Sequence, residues 1–169
     1  MMGRLTIILA MCGATALALS PVGDTPPSYI WNPSASVPIG LYRLQPARRL
    51  MVTELVAVRP PEPLANFLDL NGYLPIGVPM LKRVLALPGQ TVCRNGRVIS
   101  VDGIEMGAAQ ERDGRGRPLP VWLGCRVVRA DEVFLMNWQS PDSLDGRYFG
   151  SIPRWAVIGQ ALPLWTEGE

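Results

Sequence analysis

The chain contains one lysine and no histidine, and those two facts decide which nucleophilic chemistry is open to it. Its other basic side chains are all arginine, which keeps its proton in a protein. A lysine set among apolar neighbours gives its proton up, because desolvation disfavours the charged form. Lys82 is therefore the one basic side chain able to act as a base. Without histidine, Ser-His and Cys-His mechanisms are excluded. Lys82 lies in PMLKRVLALPG, over 79–89. A second stretch, NPSASVPIGLYR over 32–43, carries Ser34 and Ser36 just ahead of a rigid Pro-x-Gly bend of the kind that holds a nucleophilic serine.

A lysine next to Arg83 at a strand end can also be a plain solvated charge. The chemical alternative needs burial: an unperturbed lysine has a pKa of about 10.4, and burial lowers it by up to about 3 to 5 units. Met80, Leu81, Val84 and Leu85 are placed to provide it. Other serine classes fail on spacing. A Ser-x-x-Lys pattern would need serine where Pro79 stands, and there is no G-x-S-x-G elbow. No phosphate loop, zinc spacing or calcium loop occurs, so no cofactor or metal is expected.

The elements that must position these groups read as short strands. Seventeen prolines and 17 glycines break the chain often, while 48% hydrophobic content is enough for a core. Strands are expected over 50–58 (LMVTELVAV), over 80–87, around VFLMNW within 127–138, and over 155–164. One or two helical turns are expected over 64–70, ending at Asn71-Gly72. Asn95-Gly96 and Asp102-Gly103 are hairpin signals, and 110–120 is an arginine-rich loop. Cys93 and Cys125 have neither redox-motif nor metal-ligand spacing. In an exported domain they form a disulfide; the alternative is two buried thiols.

The N-terminus reads as a targeting segment. Arg4 precedes an apolar run that, taken to Val22 as a helix, is about 27 Å long, just enough to cross a bilayer core. It is either a cleaved signal or a retained anchor. The expected organisation is an apolar segment over 1–22, a linker over 23–33 and a domain over 34–169. A net charge of +2 gives no electrostatic case for nucleic acid.

Four segments, SASVPIG, VTELVAVRPP, KRVLALPG and DSLDGRYFGSIP, occur in the order of the boxes of type I signal peptidases, which the chain resembles from Ser34 to Pro153. VPIGLYR and LPVWLGC are most similar to the TraF-type branch that matures pilin in plasmid conjugation. MNWQS stands where the general leader peptidases have a Gly-Asp-Asn opening.

The resemblance implies a mainly β signal peptidase-like fold behind one N-terminal transmembrane or signal helix. It implies Ser36 as nucleophile, Lys82 as general base, and Ser34 with the Ser36 backbone N–H as oxyanion donors. Ser143 would orient the lysine amine. Asp145 with Arg147 would brace the site, and either Asp145 or Asp142 would be the functional aspartate. The substrate implied is a pilin precursor, handled in the periplasm by a domain anchored to the bacterial cytoplasmic membrane. The acyl-enzyme would be resolved by the pilin's own N-terminus or by water. Two further functions fit the residues: removal of signal peptides from exported proteins, and a catalytically silent scaffold of a secretion channel.

Overall fold

A computed structural model of the chain describes residues 27–167. The expected apolar segment over 1–22 lies outside them. Among the described residues, no helix is long and apolar enough to cross a membrane.

Eleven strands among the described residues form two antiparallel sheets, in keeping with the dense glycine and proline punctuation. They are β1 (Tyr29–Asn32), β2 (Gly40–Gln45), β3 (Leu55–Val58), β4 (Met80–Ala86), β5 (Thr91–Asn95), β6 (Val98–Val101), β7 (Ile104–Ala108), β8 (Gly124–Val127), β9 (Glu132–Leu135), β10 (Ile152–Pro153) and β11 (Val157–Thr166). The larger sheet runs β1-β2-β11-β3-β4-β9-β10 and the smaller β7-β6-β5-β8. Among the described residues there are also two short α-helices, α1 (Glu62–Leu70), stopped at Asn71-Gly72 as expected, and α2 (Gly146–Phe149), and a single 3-10 turn over Arg154–Ala156.

Both expected hairpins form. Asp102 and Gly103 have φ of 50° and 83°, the pair of positive values that a two-residue type I′ turn demands. Three expected boundaries move. Residues 50–58 are not one strand, because Thr53 turns the chain at φ 75° and only β3 enters the sheet. Residues 127–138 hand the chain from one sheet to the other, with β8 ending at Val127 and β9 starting at Glu132. Within 23–33, Tyr29–Asn32 is not linker: it is the edge strand β1, paired with β2.

β3 is covered on both faces, which is why it reads as an uninterrupted apolar run. Val56 and Val58 pack with Val84, Val133 and Leu135 on one side. Leu55 and Ala57 pack with Tyr42 and Leu81 on the other. β9 serves both sheets, since Phe134 joins Val92, Ile99 and Met136 in the cluster of the smaller one. Each such side chain contributes roughly 1.5–3 kcal/mol on burial. This core fixes β4, and β4 carries Lys82.

Candidate active site

The serine loop is pinned from inside. Asn32, at the end of β1 and 7% exposed, donates through Nδ2 to the carbonyls of Ser34, Val37 and Pro38 at 2.8, 3.2 and 3.1 Å. Its Oδ1 accepts from the Ser34 N–H. Tyr42 Oη adds a 2.6 Å bond to the Pro38 carbonyl, and Val37 is buried as a wedge beneath the bend. At Gly40 a Cβ would overlap the Trp165 carbonyl oxygen, so only glycine lets β11 close against the loop exit.

Held in this way, the Ser34 and Ser36 hydroxyls lie 3.2 Å apart and the Ser36 N–H donates to Ser34 Oγ at 3.3 Å. The two oxyanion candidates are thus adjacent, with the amide engaged by the Ser34 hydroxyl.

Lys82 occupies the middle of β4, directly across from the fully buried Val56 of β3. It is 5% exposed, and its Nζ donates to Ser143 Oγ at 2.9 Å. Burial pulls its pKa from an ordinary 10.5 down to about 8; nearby Asp145 opposes the fall and Arg147 adds to it. Desolvation is the largest of the three influences and sets the direction of the shift.

Asp145 caps α2 and forms a buried pair with Arg147, at 2.9 Å through both guanidinium contacts. The same guanidinium gathers the carbonyls of Ser140 and Ser143, which sets the loop presenting Ser143 to Lys82. Gly146 is required beside it, since a Cβ would meet the Leu135 carbonyl at 2.7 Å and the Phe134 ring at 2.8 Å. Asp142 is different: it is exposed and accepts from Gln110 Nε2 at 2.7 Å.

Ser34, Ser36, Lys82, Asp142 and Ser143 all line one cleft of about 750 Å³, whose apolar wall includes Ile30, Leu74, Val78 and Leu81. Among the described hydrogen bonds none joins Ser36 to Lys82. Such bonds commonly tighten only once substrate is bound. Asp145 and Arg147 are not among the residues that line the cleft; both are buried, and Arg147 holds the carbonyls of the loop that presents Ser143. Cys93 and Cys125 stand apart in the smaller sheet, paired across β5 and β8 and joined as a disulfide.

Two buried groups escaped the sequence reading. Arg94 reaches from β5 to the Arg147 carbonyl at 2.6 Å. Asn137 touches both β4 and Asp145. Nothing in their local sequence marks them, because Arg147 is 53 residues from Arg94 and the partners of Asn137 are 8, 54 and 56 residues away.

A family model for signal peptidase, peptidase S26, matches residues 2–165. The chain belongs to the signal peptidase family. Membership of that family implies a serine peptidase. The chain is 36% identical to the conjugal transfer protein TraF of Agrobacterium fabrum over 94% of its own length and 90% of that protein's. It is 32% identical to a plasmid transfer protein TraF of Escherichia coli, with 96% and 97% of the two chains covered. It is also 32% identical to a probable signal peptidase I-1 of Synechocystis, over 66% of its own chain and 52% of the other.

Proposed function

We propose that this chain is a serine endopeptidase in which Ser36 and Lys82 form the catalytic dyad, and that it processes a pilin precursor during conjugative transfer. The observation carrying this is Lys82 itself: a buried amine of lowered pKa, aimed by Ser143, in the same cleft as a serine held on a braced bend. The likeness to the TraF proteins over nearly full length favours the conjugative substrate.

Neutral Lys82 takes the Ser36 hydroxyl proton as Oγ attacks the scissile carbonyl. The Ser36 N–H and the Ser34 hydroxyl meet the developing oxyanion. Collapse breaks the C–N bond, Lys82 returns the proton to the leaving amine, and an acyl-enzyme remains. The precursor's N-terminal amine then displaces Ser36, its proton passing through Lys82 back to Oγ, and a cyclic pilin leaves. A held intramolecular amine outcompetes water because its effective molarity reaches about 10⁵ M or more. The expected setting is the outer face of the cytoplasmic membrane.

Intact-mass measurement of pilin from cells carrying wild-type or Ser36→Ala protein tests this. Wild type should give a product one water lighter than the linear chain of the same sequence, and Ser36→Ala should leave the precursor. A linear product would remove cyclisation and keep the peptidase. Unchanged processing in Ser36→Ala would remove the dyad and leave a scaffold.

The likeness to the Synechocystis signal peptidase supports a second substrate, the signal peptides of exported proteins. Export defects in a strain lacking the gene, with pilin intact, would favour it.

A further inference from the structure

We propose that Asn137 is a positioning residue for Lys82, its carboxamide replacing a peptide unit of β9 at the point where that strand leaves β4. The inference rests on Lys82 being the base. β9 pairs with β4 through Leu135, and the Met136 N–H makes one more backbone bond, to the Arg83 carbonyl at 2.9 Å. Beyond it the chain turns away to form the loop that carries Ser143. The edge of β4 exposed by that departure is met by one side chain. Asn137 Oδ1 accepts from the Arg83 N–H at 2.9 Å, and Asn137 Nδ2 donates to the Leu81 carbonyl at 3.2 Å.

Leu81 and Arg83 are the two neighbours of Lys82, so the carboxamide spans the residue and holds the backbone on either side of it. A carboxamide has one donor end and one acceptor end, like the peptide group it replaces, and no other side chain of this size offers both. The same residue also reports to the bracing pair: its backbone N–H donates to Asp145 Oδ2 at 3.0 Å, and its carbonyl accepts from Arg147 Nη2 at 3.4 Å. Asn137 is 2% exposed. Through its carboxamide it holds the strand bearing Lys82, and through its backbone the pair that sets the Ser143 loop, so the Nζ to Ser143 Oγ distance depends on it from both ends.

The other charged groups that act on Lys82 are Asp145 and Arg147, while β3 presents only Val56 opposite. Removing the carboxamide therefore acts on the amine through position and water entry. Exchanging it for a carboxylate keeps the acceptor for Arg83, sets like dipoles against the Leu81 carbonyl and adds a negative charge.

Because Lys82 is the only lysine, full-length protein labelled with ¹³C-lysine and purified in detergent shows a single lysine side-chain signal, whose pH titration reads this amine directly. Asn137→Ala and the isosteric Asn137→Asp should both move the midpoint upward from about 8 by about one unit or more. The alkaline-rising limb of cleavage of a synthetic precursor-junction peptide should move with it. A merely structural asparagine would lower Tm and leave the midpoint of the folded protein where it was. An unmoved midpoint in Asn137→Ala, which adds no charge, overturns the inference whatever Asn137→Asp does, since a new carboxylate alone raises a neighbouring amine's pKa. A moved midpoint with an unmoved cleavage profile sustains the positioning of Lys82 and instead overturns Lys82 as the base.

Discussion

Lys82 Nζ and Ser143 Oγ are hydrogen-bonded at 2.9 Å although 61 residues separate them, and both are almost wholly out of water. A charged ammonium in that position would need an ionised partner of its own. It has a hydroxyl instead, while the nearest carboxylate, Asp145, is already bound by Arg147. The arrangement favours the neutral amine, the form a base must have.

The rate should therefore follow the free amine. With burial holding Lys82 at about 8, kcat/KM for peptide cleavage should rise about tenfold per pH unit on the acid side and level off near that value. Lys82→Arg keeps the charge and loses the base, so cleavage should fall to background at every pH. A flat profile across pH 6 to 9, or an active arginine variant, is the outcome that contradicts this; the measurement is peptide turnover against pH at about constant ionic strength.

The same burial carries a cost in stability, with a definite sign. Below about pH 8 the amine is charged in both folded and unfolded chains, and the folded chain bears the whole desolvation penalty. Between about 8 and the ordinary 10.5 the unfolded chain still holds its proton and the folded one does not, so stability rises with pH. Above that range the penalty is gone. Replacing Lys82 with Met should accordingly stabilise the protein by about 3 kcal/mol at pH 7, at about 1.36 kcal/mol per unit. The gain should vanish by about pH 11. Denaturant melts of the two proteins at pH 7 and pH 10.5 check it, and a constant difference would refute it.

Asp145 and Asp142 are two candidates that sequence alone leaves equal, and the structure gives them opposite behaviour. Asp145→Asn leaves Arg147 buried without its anion, which costs about 3 to 5 kcal/mol. It also removes the charge that raises the Lys82 pKa and leaves the one that lowers it, so the limb of the rate profile should move to lower pH. Asp142→Asn changes an exposed group, and its stability should stay within about 0.5 kcal/mol with the limb unmoved. Thermal melts and pH profiles on the two variants separate them.

How far the site was legible follows from how local its signals are. Lys82 was readable because its type is unique in the chain, and Ser34 and Ser36 because a proline bend follows them. The hairpins at Asn95 and Asp102 were readable from turn chemistry. The break at Thr53 was not, because a β-branched residue at positive φ contradicts its own propensity and is imposed by the bonds Thr53 N–H to the Val84 carbonyl and Arg83 Nη1 to the Thr53 carbonyl. Arg94 and Asn137 were invisible for a related reason. Each is an ordinary polar residue whose meaning comes from backbone groups that folding brings to it.

The disulfide offers a last separation, between holding the fold and doing the chemistry. Cys93 and Cys125 face each other across β5 and β8, with a sequence separation of 32, so the bond ties the exposed edge strand β8 into the smaller sheet. On the chain-entropy model, closing a loop of that size is worth about 3 to 4 kcal/mol. The cleft is built on the larger sheet and the two serine loops. The neighbouring link to it is the bond from Arg94 to the Arg147 carbonyl at 2.6 Å. Cys93→Ser with Cys125→Ser should then lower stability by about that amount while kcat/KM, measured well below the melting range, stays within about twofold. Activity falling in step with stability under those conditions would mean that β8 supports the active site through the segment just ahead of it, where the Trp122 indole, stacked under Arg126 of β8, donates to the Gly146 carbonyl at 3.0 Å next to Asp145.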